Sequence, residues 1–233
     1  MRKIIAITTK ELGTYFKSPM AYIILTITTI VFNAFFLMII DQNREASLRD
    51  MFKLMEFMFV FIVPLLTMKI FSEDKRAGTL EFLMTCPTKN SEIVLGKYLG
   101  SLIFLSIIIA LTFIHYFIVA YFGKPDHDAT VSGYVGIWLE GALFIAIGTL
   151  ASSWTKNQII AAINAYIILF TFYFSITFIK YASATAESLI RYMSFWSHTE
   201  NLASGLLLTS DLVYFLSSIV FCLILTVLSI QNR

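Results

Sequence analysis

"SPMAYIILTITTIVFNAFFLMII", residues 18 to 40, runs from Lys17 to Asp41 without one charged residue. At about 1.5 Å of rise per residue, a helix of this length crosses a hydrocarbon core about 30 Å thick. Pro19 is tolerated there because the first N–H groups of a helix have no intrahelical acceptor. The stretch is read as a membrane span, and the whole chain agrees with it. Of its 233 residues 58% are hydrophobic and 14% charged, with a mean hydropathy of +0.79; an average soluble domain has about 25% charged residues. The expected fold class is an all-α integral membrane protein.

Working outward, five more apolar runs read as spans, at residues 51–71, 98–122, 134–154, 158–179 and 212–230. Pro64 is expected to kink the second. Six spans of about 20 residues use up most of the chain and leave no room for a separate catalytic domain. The polar link Thr155-Lys156-Asn157 is short enough to make the fourth and fifth spans antiparallel neighbours. Residues 1–17 place Ile4, Ile5, Leu12, Tyr15 and Phe16 against Arg2, Lys3, Lys10 and Lys17, the pattern of a helix lying in a membrane interface. Lys10 and Glu11 interrupt the apolar run after Met1-Arg2-Lys3 before it reaches signal-peptide length, so the N-terminus is expected to be retained. With the N-terminus inside, eleven Lys and Arg fall on the cytoplasmic side and six outside. That bias puts both termini in the cytoplasm. Cys86 and Cys222 show no metal or disulfide spacing and are read as free thiols.

The exception to this apolar pattern is "FSEDKRAGTLEFLMTCP", residues 71 to 87. Ser72 can cap a short helix that opens with Glu73 and Asp74. Gly78 offers a break, Thr79 a second cap, and Leu80, Leu83 and Met84 then share one face opposite Glu81 and Thr85. Pro87 ends the segment. By physics alone it is either a solvated hairpin loop whose charges fix topology or an amphipathic helix in need of a partner.

The order Phe71-Ser72-Glu73-Asp74-Lys75-Arg76-Ala77-Gly78-Thr79-Leu80-Glu81-Phe82-Leu83, then Pro87, then Glu92 to Lys97, resembles the cytoplasmic signature of the ABC-2 type permeases, the membrane subunits of ATP-binding-cassette exporters. Asp74 stands where that family more often has a second Glu. Lys10-Glu11-Leu12 through Phe16, Lys17, Ser18 and Pro19 resembles the family's N-terminal elbow helix. Ser194 to His198 with Asn201, Gly205 and Asp211 resembles its outer segment before the last span. The compact layout is similar to the gliding-motility-associated subgroup and to the permease of the nitrous-oxide-reductase copper-maturation system.

The resemblance implies a single permease domain with an elbow helix (1–17), a cytoplasmic coupling helix (72–87) and outer helices (187–208). It implies a bacterial inner-membrane location, a separate ATPase subunit carrying ATP and Mg, and a second permease copy or homologue. An accessory outer-face or periplasmic protein also fits, and no nucleic acid is involved. Glu73, Asp74, Lys75 and Arg76 would then pair charges at the rim of the ATPase interface, with Leu80, Phe82 and Leu83 as buried anchors. Two permeases would meet through helices bearing Tyr22, Phe32, Phe35 and Phe36 and through the 166–174 region. The chain has no Walker A sequence of its own, since Gly96-Lys97 is followed by Tyr98.

Glu140 reads either as a gate or substrate contact or as an acid about two turns from the outer end that reaches water, and His115, at similar depth, either as its partner or as a satisfied histidine of the bundle. The first alternative supports a competing reading, an ion-coupled secondary transporter using Glu140, which leaves the 71–87 segment unexplained. An intramembrane hydrolase is excluded by composition. His115, His127 and His198 are scattered over one span and two outer loops, with no His-Glu-x-x-His. Small residues four apart, Gly96/Gly100, Ala142/Ala146, Gly148/Ser152 and Ala161/Ala165, predict close helix contacts.

Overall fold

A computed structural model describes residues 2–43, 47–85, 88–177, 184–206 and 208–231. The described residues form α1 (Arg2–Lys17), α2 (Pro19–Asn43), α3 (Arg49–Thr67), α4 (Ser72–Ala77), α5 (Thr79–Thr85), α6 (Asn90–Leu111), α7 (Phe113–Phe122), α8 (His127–Ser153), α9 (Gln158–Phe174), α10 (Ala184–Met193), α11 (Phe195–Ala203) and α12 (Thr209–Gln231). Six segments are long and apolar enough to cross a membrane, with α3 running on into α4, and α6 into α7, as two of them.

The bundle is organised around α8, buried along nearly its whole length and touched by α3, α6, α9, α11 and α12. A central helix needs small residues where its neighbours cross. A Cβ on Gly141 would collide with Leu105 of α6, one on Gly148 with the Thr67 hydroxyl of α3, and one on Gly136 would lie 2.8 Å from Leu202 of α11. Ala161 and Ala165 on α9 are buried to about the same degree, where α9 lies against α8. A smaller apolar cluster of Ile70, Phe71, Leu80, Ile93, Val94 and Ile230 closes one end of the bundle. It gathers the turn between α3 and α4, α5, the start of α6 and the end of α12.

Several element boundaries differ from expectation for identifiable local reasons. α8 begins at His127 instead of 134 because the Asp126 carboxylate accepts the N–H groups of Asp128 (3.1 Å) and Ala129 (3.3 Å). α6 begins at Asn90 instead of 98, where Glu92 reaches back to the Lys89 N–H (2.9 Å). The expected third span is divided at Thr112, whose carbonyl accepts a hydrogen bond from the Tyr134 hydroxyl (3.0 Å). The amphipathic segment breaks at Gly78 as expected, where φ is +70, a left-handed conformation that ends α4 at little steric cost only for glycine. Cys86, Pro87 and Lys180, together with the last residues of the expected fifth span, lie outside the described residues.

Candidate functional site

α1 lies along α6 because α6 offers it a smooth track. A Cβ on Gly96 would stand 2.7 Å from Ile7, and one on Gly100 2.8 Å from the Glu11 Cβ. Thr8 donates to the Gly96 carbonyl (3.1 Å), Tyr15 stacks on Phe104 and Phe16 meets the same ring edge-on. The Tyr15 hydroxyl contacts Ser101 (2.9 Å) and donates to the Leu66 carbonyl (3.1 Å). Burial, and then the neighbouring Glu11 charge, push that phenol's pKa well above its ordinary value, so it stays a neutral donor at physiological pH. The Gly96/Gly100 pair thus serves α1. Of the elbow residues, Lys10, Lys17 and Pro19 face outward and Glu11 is half-buried.

Lys97 is the hub of this junction. Its side chain is 6% exposed, and its ammonium lies 2.7 Å from Asp74 of α4 and 3.1 Å from Glu11 of α1. It also donates to the Ile70 carbonyl (2.7 Å) and sits 5.5 Å from the centre of the Phe71 ring. One buried cation with two carboxylates and a carbonyl is adequately compensated, and it ties α1, α4 and α6 together. A second tie runs to the end of α8. The Ser152 hydroxyl accepts the N–H groups of Phe71 (3.0 Å) and Ser72 (3.1 Å) and donates to the Met68 carbonyl (3.0 Å). Lys75 donates to the Ser153 carbonyl, and Ser153 meets Ser229 of α12 (3.0 Å).

These contacts correct part of the expected interface. Asp74 and Lys75 are engaged inside the chain and are not rim charges, and Leu80 is 5% exposed within the end cluster. Ser72 does not cap α4; its hydroxyl turns back to the Met68 carbonyl. Instead Thr79, whose hydroxyl donates to the Asp74 carboxylate (2.8 Å), links the two helices. The outward residues of α4 and α5 are Glu73, Arg76, Ala77, Thr79, Glu81, Phe82 and Thr85, with Leu83 half-buried. Phe82 is 73% exposed. The roles of Lys97 and Ser152 were not read from the sequence, although Gly96-Lys97 and Gly148-x-x-x-Ser152 were the signals available.

Toward the other end, Glu140 does not pair with His115. His115 approaches the Asn33 amide oxygen (3.1 Å) and packs against Phe36 at 4.3 Å. Glu140 sits midway along α8, fully buried, and faces Glu56 of α3. Both Glu140 carboxyl oxygens and one of Glu56 lack a hydrogen-bond partner among the described residues. Glu56, inside the second expected span, is only 3% exposed. Above Glu56 lies a cavity of about 110 Å³, lined also by Arg49, Lys53, Trp196, Thr199 and Glu200. α11 forms one of its walls. α11 is anchored by His198, whose ring contacts the Asp211 carboxylate (2.7 Å) and the Tyr192 carbonyl (3.0 Å), and by Asn201, which donates to Asp211 (3.2 Å). The expected seam on α2 is also reduced, since Phe32 and Phe36 are buried within the chain while Tyr22 and Phe35 stay exposed.

Six spans among the described residues, with α8 buried at their centre and a charged two-helix segment tied rigidly to them at one end, define a multi-pass membrane protein. Comparison with protein families makes this specific: the model described as "ABC-2 family transporter protein" matches residues 5–231, and the chain belongs to that family. It is a membrane permease of the ABC transporter class. A search of curated proteins gave no match.

Proposed function

We propose that this chain is the membrane subunit of an ABC exporter and that the outward face of α4 and α5 docks onto a separate ATPase subunit. One observation carries the reading: Phe82 is 73% exposed at the tip of a segment whose opposite side is locked to α1, α6 and α8 through Lys97, Lys75 and Ser152. An exposed aromatic flanked by Glu81 and Arg76 is a typical anchor with a charged rim. The internal ties give motion of the partner a rigid route into the spans. In this reading the end of the bundle carrying α1, α4, α5 and the end of α12 faces the cytoplasm of a bacterial inner membrane. ATP and Mg are held by the partner. Two permease subunits pair, with Tyr22 and Phe35 of α2 and the exposed face of α9 in the seam. The cavity over Glu56 lies on the outer half, with α11 as one of its walls.

The test is co-purification of the tagged full chain, expressed with its ATPase, from detergent. Wild type is expected to bring the ATPase with it, and Glu81→Arg with Phe82→Asp to lose it by about tenfold or more, as for a central anchor, while still inserting. Equal recovery with the variant, or none with wild type, overturns the proposal.

A further inference from the structure

On the same side as α1 and α4 a cavity of about 460 Å³ opens between α1, the start of α2, the end of α3 and α4. Its lining has two unlike halves. Lys10, Lys17 and Lys69 supply three cations, and Ala21, Ile24 and Leu65 an apolar wall built from two spans. None of the three lysines is in ion-pair contact with a described acid. Three acids, Glu11, Glu73 and Asp74, face these lysines and a fourth, Lys97, which engages Glu11 and Asp74, so the lining keeps one net positive charge with Lys10, Lys17 and Lys69 on its open side.

We propose that this cavity holds one anionic phospholipid from the leaflet on the side of α1, with its phosphate among Lys10, Lys17 and Lys69 and an acyl chain along Ala21, Ile24 and Leu65. Charge selects the headgroup, since each lysine near a membrane surface favours an anionic lipid by a modest, additive amount. The apolar half selects a lipid over a soluble anion, which would leave that wall wet. The position also suits a lipid: α1 has Ile5 62% exposed and Phe16 36% exposed alongside its lysines, as a helix lying in the headgroup region does. Seated there, the lipid touches α1, α2, α3 and α4 at once and adds a bridge beside the Lys97 junction. The site does not depend on the identity of the partner subunit.

The experiment is native mass spectrometry of the full chain released from bilayers of equal parts phosphatidylglycerol and phosphatidylcholine. Wild type is expected to retain one phosphatidylglycerol in preference to phosphatidylcholine. Lys10→Gln, Lys17→Gln and Lys69→Gln together are expected to lower that retention by about tenfold or more. Arg2→Gln, Lys124→Gln and Lys156→Gln, which remove the same charge elsewhere, are expected to leave it intact. Leu65→Trp, which narrows the apolar half and keeps every lysine, is expected to expel the lipid and serves if the triple variant does not fold. No preference for phosphatidylglycerol in wild type overturns the proposal. So does equal loss in the two triple variants, or unchanged retention in Leu65→Trp.

Discussion

Lys97 brings a positive charge to a place where water does not reach it, and two carboxylates from different helices meet it there. Removing one member of such a group strands the others, at a cost of about 3–5 kcal/mol. Lys97→Met is therefore expected to lower thermal stability in detergent sharply. Adding Glu11→Gln and Asp74→Asn, which removes the stranded charges, is expected to recover at least half of the loss. No recovery would mean that packing around the lysine stem, and not charge, holds the junction. Glu140 behaves in the opposite way. Its carboxyl group faces that of Glu56 in a fully buried site, so Glu140→Gln removes one of two like acids, gives the other an N–H donor, and is expected to stabilise the protein by about 1 kcal/mol. A variant that is more stable yet transports less would mark the pair as kept for function at the expense of stability; a less stable one would show that the carboxyl has a structural role. From the sequence Glu140 was visible as an isolated acid in an apolar run, but Glu56 was not. It lies near the end of such a run, where a charge can reach water, and only the packing of α3 on α8 shows that it does not.

At the scale of elements, the spans were legible because apolar length is a local property of the chain, and a bilayer demands it of every crossing helix. The helix starts were less so. Asp126 and Glu92 extend α8 and α6 beyond their apolar runs through bonds to backbone N–H groups, which hydropathy does not register. Gly96 and Gly100 were legible as a contact site, but not as a site for α1, because small residues say how closely a neighbour approaches and not which one it is. Gly96→Leu is expected to push α1 off α6, as overpacking does, at a cost of about 1–3 kcal/mol, and to raise protease cleavage within residues 2–17; unchanged cleavage would show that the contacts of Thr8, Tyr15 and Lys97 hold α1 without close approach at Gly96. The α11 anchor carries a parallel expectation. Asp211→Ala leaves both His198 and Asn201 without their acceptor, at about 1–3 kcal/mol. Hydrogen exchange is expected to rise across residues 195–203 and not in α8; an unchanged α11 would place its stability in the Phe195 and Leu202 contacts.

At the scale of the whole molecule, the two ends of α8 are differently built. One end meets Lys75 and α4 through Ser152 and Ser153. Midway along it Glu140 faces Glu56, and the other end packs against α11. A helix buried on all sides transmits displacement better than it absorbs it, because close-packed interiors have low compressibility. α8 is thus the element through which force applied at α4 and α5 would reach the cavity over Glu56. The sequence showed the charged segment but not which of its residues faced outward, since burial of Leu80, Asp74 and Lys75 is decided by helices distant in sequence. Photo-crosslinking in intact membranes tests whether Phe82 meets an ATPase. A benzophenone amino acid at position 82 is expected to form a covalent adduct with a polypeptide carrying a Walker A sequence. The same probe at position 117, also exposed but on α7, is expected to form none. An adduct from 117 and not from 82, or no ATPase adduct from 82 at all, would contradict the account.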